Sequence, residues 1–132
     1  MVNRDDYKLV FYAVHGILDN SYYDGVNSFA PDKISCSEYS LNRPAFQFLT
    51  KKDKDENFTL IYVIEINHII TNEIIQSWIN HSKNCNWLFL FVPEEIKPNV
   101  EISIAKEISN YSVISYRIEQ KGKNRNVIID SE

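Results

Sequence analysis

The sequence predicts an α/β fold, with one mixed central sheet flanked by helices. Three observations lead to it. The apolar pattern passes from helical spacing to alternation and back, in the order helix, three strands, helix, strand, then helix and one or two strands. Two runs, FTLIYVIEIN over Phe58–Asn67 and WLFLFV over Trp87–Val92, are apolar at nearly every position, as strands covered on both sides are. Hairpins join the early strands. A helix separates the two apolar runs, so a right-handed crossover to a parallel neighbour is expected there.

Asp5 to Asn20 reads as the first helix, with Val10, Ala13, Val14, Ile17 and Leu18 on one stripe. Asn3, Asp5 and Asp6 place caps and negative charge at its start, where the helix dipole favours them. Ser21 to Pro31 reads as loop, and Lys33 to Leu41 alternates as a strand. Asn42-Arg43-Pro44 breaks it, and Ala45 to Thr50 is the second strand. The charged run Lys51 to Asn57 is expected to be a hairpin tip before the long apolar strand. Thr71 to Asn84 is the second helix, capped by Thr71, with Ile70, Ile74, Ile75, Trp78 and Ile79 as its apolar face. Pro93 to Pro98 reads as loop and Asn99 to Asn110 as a third helix, with Val100, Ile104, Ala105 and Ile108 inward. Ser112 to Glu119 alternates as a strand. Lys121-Gly122-Lys123-Asn124 turns the chain into an edge strand, Asn126 to Asp130.

A chain of 132 residues is expected to form a single domain that buries roughly two-thirds of its unfolded surface. With 14 Lys+Arg against 18 Asp+Glu the net charge is −4, so any surface that grips a nucleic-acid backbone must be local. The one basic stretch is Lys121, Lys123 and Arg125, a candidate nucleic-acid contact, although charge runs of this kind are more often solvated hairpin tips. Cys36 and Cys85 form no metal-knuckle spacing. His81 and Cys85 stand four apart on one helix, too few ligands for zinc, and His68 lies too far along the chain to join them. The chain opens without an apolar stretch of signal type, and no run nears the roughly 18 apolar residues of a membrane span. A cytoplasmic, intracellular protein with reduced thiols and no membrane contact is therefore expected.

Between Asn42 and Pro93, over about 50 residues, lie Arg43-Pro44-Ala45-Phe46, then Ile64-Glu65-Ile66-Asn67, then the Thr71 helix and LFLFVP. This stretch resembles the αβββαβ core of the restriction-endonuclease-like fold, the PD-(D/E)XK nuclease superfamily. That family places a metal-binding Asp at the start of the second strand and Glu-x-Lys at the end of the third. The resemblance puts Ala45 in the position of the Asp and Asn67 in that of the catalytic Lys, with Glu65 retained. Family chemistry uses Mg²⁺ held by oxygen ligands to activate a water against a phosphodiester. A rearranged site would take Glu65 and Asp32 as metal ligands, with Asn67 or Gln76 orienting the water, since some relatives carry a Gln on the helix after the motif.

Each of these residues also has a plain structural reading. Glu65 is the single charge in an otherwise apolar strand, and a buried carboxylate needs a partner, so it is either solvated at the strand's open end or bonded to a helix N-terminus. Asp32 precedes the first strand instead of opening the second. Gln76 suits a solvated helix face. The resemblance therefore implies a catalytically inactive module, without a cofactor, that acts on a protein partner or within a nucleic-acid complex, or as a homodimer. The alternatives are an Mg²⁺-dependent nuclease with a rearranged site and a small acidic binding protein of inhibitor or immunity type.

Overall fold

A computed structural model describes residues 4–23, 30–36, 41, 43–53 and 56–130, and the side chains of 5–17, 41, 43–47 and 59–130. The elements are α1 (Arg4–Tyr23), β1 (Ala30–Cys36), β2 (Phe46–Asp53), β3 (Glu56–Ile64), α2 (Asn72–Lys83), β4 (Trp87–Pro93), a 3₁₀ turn (Glu94–Ile96), α3 (Lys97–Ile104), β5 (Tyr111–Lys121) and β6 (Asn124–Asp130). The strands form one sheet in the order β1-β2-β3-β4-β5-β6. β1–β2, β2–β3 and β5–β6 are antiparallel, whereas β3–β4 and β4–β5 are parallel. The mixed sheet with flanking helices is thus present.

Each face carries its own core. On one, Tyr7, Val10 and Val14 of α1 meet Phe46, Leu60, Tyr62, Ile64, Phe91 and Tyr116. On the other, Ile74, Trp78 and Ile79 of α2 and Val100 and Ile104 of α3 cover Ile61, Val63, Leu88, Leu90 and Val92. The split follows strand parity, because successive side chains point to opposite faces and both faces of β3 and β4 are apolar. Full burial of each large side chain is worth about 1.5–3 kcal/mol. The α1 face adds stacked rings, Phe11 on Phe46 at 4.5 Å and Tyr62 on Phe89 at 4.5 Å. Thr71 caps α2, its hydroxyl accepting from the Ile74 N–H at 3.3 Å.

Several boundaries differ from the sequence expectation. β1 runs Ala30–Cys36, three residues ahead of the expected start; positions 37–40 lie outside the described residues. The charged run is not a long tip: Lys51 pairs with Asn57 and Asp53 with Glu56 across an irregular register. Charged side chains hide the alternation there, but the main-chain ladder does not depend on them. Pro93–Pro98 is not loop either. Pro98 sits in the first turn of α3, where its missing N–H costs nothing, so the helix begins before the proline. It ends at Ile104, and Ala105 is exposed. On α1 the inward line is Tyr7, Val10 and Val14, and Ile17 is exposed.

β5 and β6 meet through a two-residue turn, Gly122-Lys123, with Lys121 opposite Asn124. Gly122 has φ +60°, and no non-glycine residue among those described has positive φ, which fits a II′ turn with glycine at its first central position. Gly16 lies inside α1 with nothing within 4 Å of an added Cβ. The two glycines therefore respond oppositely to alanine. Gly16→Ala should raise stability by about 0.5–1 kcal/mol through helix propensity. Gly122→Ala should lower it by about 1–2 kcal/mol through its positive φ. Urea denaturation of the two variants beside wild type checks both signs.

Candidate functional site

β3 ends at the point where three parallel strands open toward the helices, and Glu65 follows its last residue. Its N–H donates to the Phe91 carbonyl at 2.8 Å, which extends the ladder to β4 by one bond. Its carbonyl accepts from the Tyr116 hydroxyl of β5. These bonds fix the backbone, and strand parity sends the side chain inward, so the residue is only 1% exposed. Glu65 Oε2 accepts from the Asn67 N–H at 3.1 Å and from Asn67 Nδ2 at 2.7 Å. The carboxylate is therefore buried instead of solvated at the strand end. It holds the chain's own turn out of β3. No buried side-chain polar atom among the described residues lacks a partner.

Ala45 stands beside this group. Its N–H donates to the Tyr62 carbonyl at 2.8 Å, and its side chain is 2% exposed. Ala45, Glu65, Arg43, Tyr7, Ser77 and Trp78 line a small cavity of about 10 Å³. The two motif positions on β2 and β3 thus converge, and Asn67 is bonded to the second. The residues do not fit Mg²⁺. Among the described residues the cavity offers one carboxylate, with one oxygen already accepting two hydrogen bonds, and space for about one water, whereas Mg²⁺ keeps several waters around it. Among the described residues no three His, Cys, Asp or Glu side chains come together as a metal site.

Asp32 is not brought to Glu65. It falls at the register shift between Pro31, opposite Thr50, and Lys33, opposite Leu49, and those partners pair with Phe58 and Thr59 of β3. That level is at least six residues from Glu65 along the strand, or roughly 20 Å at the strand rise. Gln76 is exposed and outside the cavity. Its neighbour Ser77 lines the cavity instead, its hydroxyl donating to the Ile74 carbonyl at 2.7 Å. Lys121, Lys123 and Arg125 are all exposed at the β5–β6 turn, and Arg125 contacts Asp6 of α1. The sequence reading missed Tyr7, Arg43, Ser77 and Tyr116. Helical periodicity marks Ser77 as flanked by the inward Ile74 and Trp78, and alternation turns Tyr116 inward, but neither pattern says what a hydroxyl will meet.

A second cleft, of about 380 Å³, opens past the carboxyl ends of β3 and β4 and is lined by Asp6, His68, Glu94, Glu95, Arg117 and Arg125 among others. Its polar groups are paired internally: His68 contacts Glu95, Arg117 pairs with Glu94 at 3.4 Å and with Glu119 at 3.0 Å, and Arg125 with Asp6. His81 and Cys85 turn to separate partners. His81 Nε2 lies 3.3 Å from the Leu41 carbonyl, and the Cys85 thiol donates to the Ser82 carbonyl at 3.8 Å. The Cys36 side chain lies outside the described ones.

Burial lowers the His81 pKa below its usual 6.5, and the bond to the Leu41 carbonyl offsets part of that. Around that pH the unfolded chain binds a proton that the folded chain resists, so the unfolded state holds more protons and stability rises with pH. Stability should fall as pH drops from about 7 toward 5. His81→Gln should flatten that slope in denaturation curves taken across the range. Burial also pushes the Cys85 thiol up to about 11, against a smaller lowering by the Trp87 backbone N–H. In a Cys36→Ser background, alkylation at neutral pH should run roughly 100-fold slower than for a free thiol, since only the thiolate reacts. Mass spectrometry of iodoacetamide time courses checks this. No family model matches the chain, and no curated protein or solved structure matches it.

Proposed function

We propose that this chain is a catalytically inactive PD-(D/E)XK-like module that acts by binding a protein partner. The observation that carries the reading is the state of Glu65. The one acid kept from the family motif is buried, its Oε2 is committed to Asn67, and the adjoining cavity has the volume of about one water. So small a space argues against a bound phosphodiester or hydrated metal. The order α1-β1-β2-β3-α2-β4, with an antiparallel meander followed by a parallel strand, supports the resemblance. So does the convergence of Ala45 and Glu65 on one cavity.

Two further points weigh between the alternatives. The register separates Asp32 from Glu65, which argues against a rearranged metal site built on that pair. The net charge of −4 and the pairing of Arg117 and Arg125 with carboxylates favour a protein over a nucleic acid as partner.

Calorimetry with Mg²⁺ and Mn²⁺, together with cleavage assays on single- and double-stranded DNA and RNA, tests the reading. Wild type should bind neither metal at millimolar concentration and cut nothing. Cleavage by wild type that is lost in a folded Glu65→Gln variant would sink it, because that variant keeps the side chain's size and changes its charge.

A further inference from the structure

We propose that the groove between α1 and β6 receives an acidic, extended segment of a partner protein, which joins the sheet as a strand beside β6. The proposal supplies a contact surface for the binding module described above, and it is tested by a reading of binding, not of cleavage, so the two can fail separately.

Three independent features point to it. The first is the sheet edge. β6 is last in the strand order and pairs only with β5, so alternate residues direct their N–H and C=O groups away from the sheet, and none of them has a hydrogen-bond partner among the described residues. Such an edge is a template for strand addition. It carries no proline, and its one inward charge, Arg125, is already paired with Asp6 of α1 ahead of the apolar run Val127-Ile128-Ile129.

The second feature is shape. A groove of about 630 Å³ lies between this edge and α1, with Leu9 and Tyr12 on the helix side and Asn124 and Asn126 on the strand side. Tyr12 lines the groove and is 70% exposed, two positions from Val10 and Val14 and so on the helix face turned away from the core. A large exposed ring in the lining offers an apolar contact to a bound segment.

The third feature is charge. Lys8 and Lys123 stand on the two walls of the groove, are exposed, and form no ion pair among the described residues. The acids nearby are already engaged: Asp6 contacts Arg125, and Asp5 has a partner of its own. With Arg125 paired to Asp6, the lining keeps Lys8 and Lys123 against Asp5, a positive balance on a chain of net −4, which selects an acidic ligand locally. An oligonucleotide would meet the same two lysines, but it has no N–H or C=O row to pair with β6 and would have to approach an acidic molecule.

The experiment is fluorescence anisotropy with a labelled eight-residue peptide of alternating Glu and Val, at low salt, on the full chain. Wild type should bind it, and the Lys8→Glu, Lys123→Glu double variant should bind at least ten-fold more weakly. Tyr12→Ala should weaken binding several-fold. The same peptide N-methylated at alternate residues should lose binding, since strand addition needs those N–H groups. All substitutions lie at exposed positions, and circular dichroism confirms that the variants are folded. No binding of the peptide by wild type, or equal binding by the charge-reversed variant, overturns the proposal. Unchanged binding of the N-methylated peptide overturns strand addition. Tighter binding of oligo-dT than of the peptide, lost in the same double variant, overturns it in favour of a nucleic acid.

Discussion

Double-sided burial of β3 and β4 is the constraint from which the rest follows. A strand apolar on both faces cannot leave either face in water, so one layer of helix is needed on each side of the sheet. α1 supplies one layer, α2 and α3 the other. The two layers close over the sheet at the end of β3, and any polar group there falls out of reach of solvent. Glu65 is that group. A carboxylate placed in such surroundings without partners would cost several kcal/mol. The chain meets this with its nearest available donors, the N–H and side-chain amide of Asn67.

That arrangement makes the residue types around Glu65 mutually consistent. An aspartate in place of Ala45 would set a second carboxyl group beside the first in a nearly closed cavity, where like charges repel strongly. A lysine in place of Asn67 would bring an ammonium that itself needs hydration. Alanine and asparagine remove both difficulties: one fills space, and the other donates hydrogen bonds without charge. The three positions thus behave as parts of one packed core. A buried glutamate here needs no catalytic explanation, because the turn after β3 uses it.

Long periodic segments were legible in the sequence. β3, β4 and α2 were found near their true bounds, since their apolar runs have no competing explanation. The places where sequence reasoning failed share a physical cause. Lys51 with Asn57 and Asp53 with Glu56 continue the main-chain pairing where the sequence is charged, so residue pattern is a poor guide there. At Pro98 a residue usually treated as a stop is tolerated at a helix start. Around Glu65 the sequence showed that a buried acid would need a partner, but not that the partner was two residues away. Tyr116 comes from a strand 51 positions later, and only the parallel register of β3, β4 and β5 brings its hydroxyl to the Glu65 carbonyl.

The strand order carries a consequence for how the molecule is assembled. Spatial neighbours in the sheet are also neighbours in the chain from β1 through β6. No strand has to be inserted between two that have already paired, so the sheet can grow at one edge as the polypeptide leaves the ribosome. Only the contact of α1 with β6, sealed by Asp6 and Arg125, joins the first element to the last. A chain arrested before residue 124 would carry five of the six strands and the packing of α1 on β2–β5, without the Asp6–Arg125 contact. Synthesis of the final seven-residue strand then works as a latch on a structure otherwise built in order of translation.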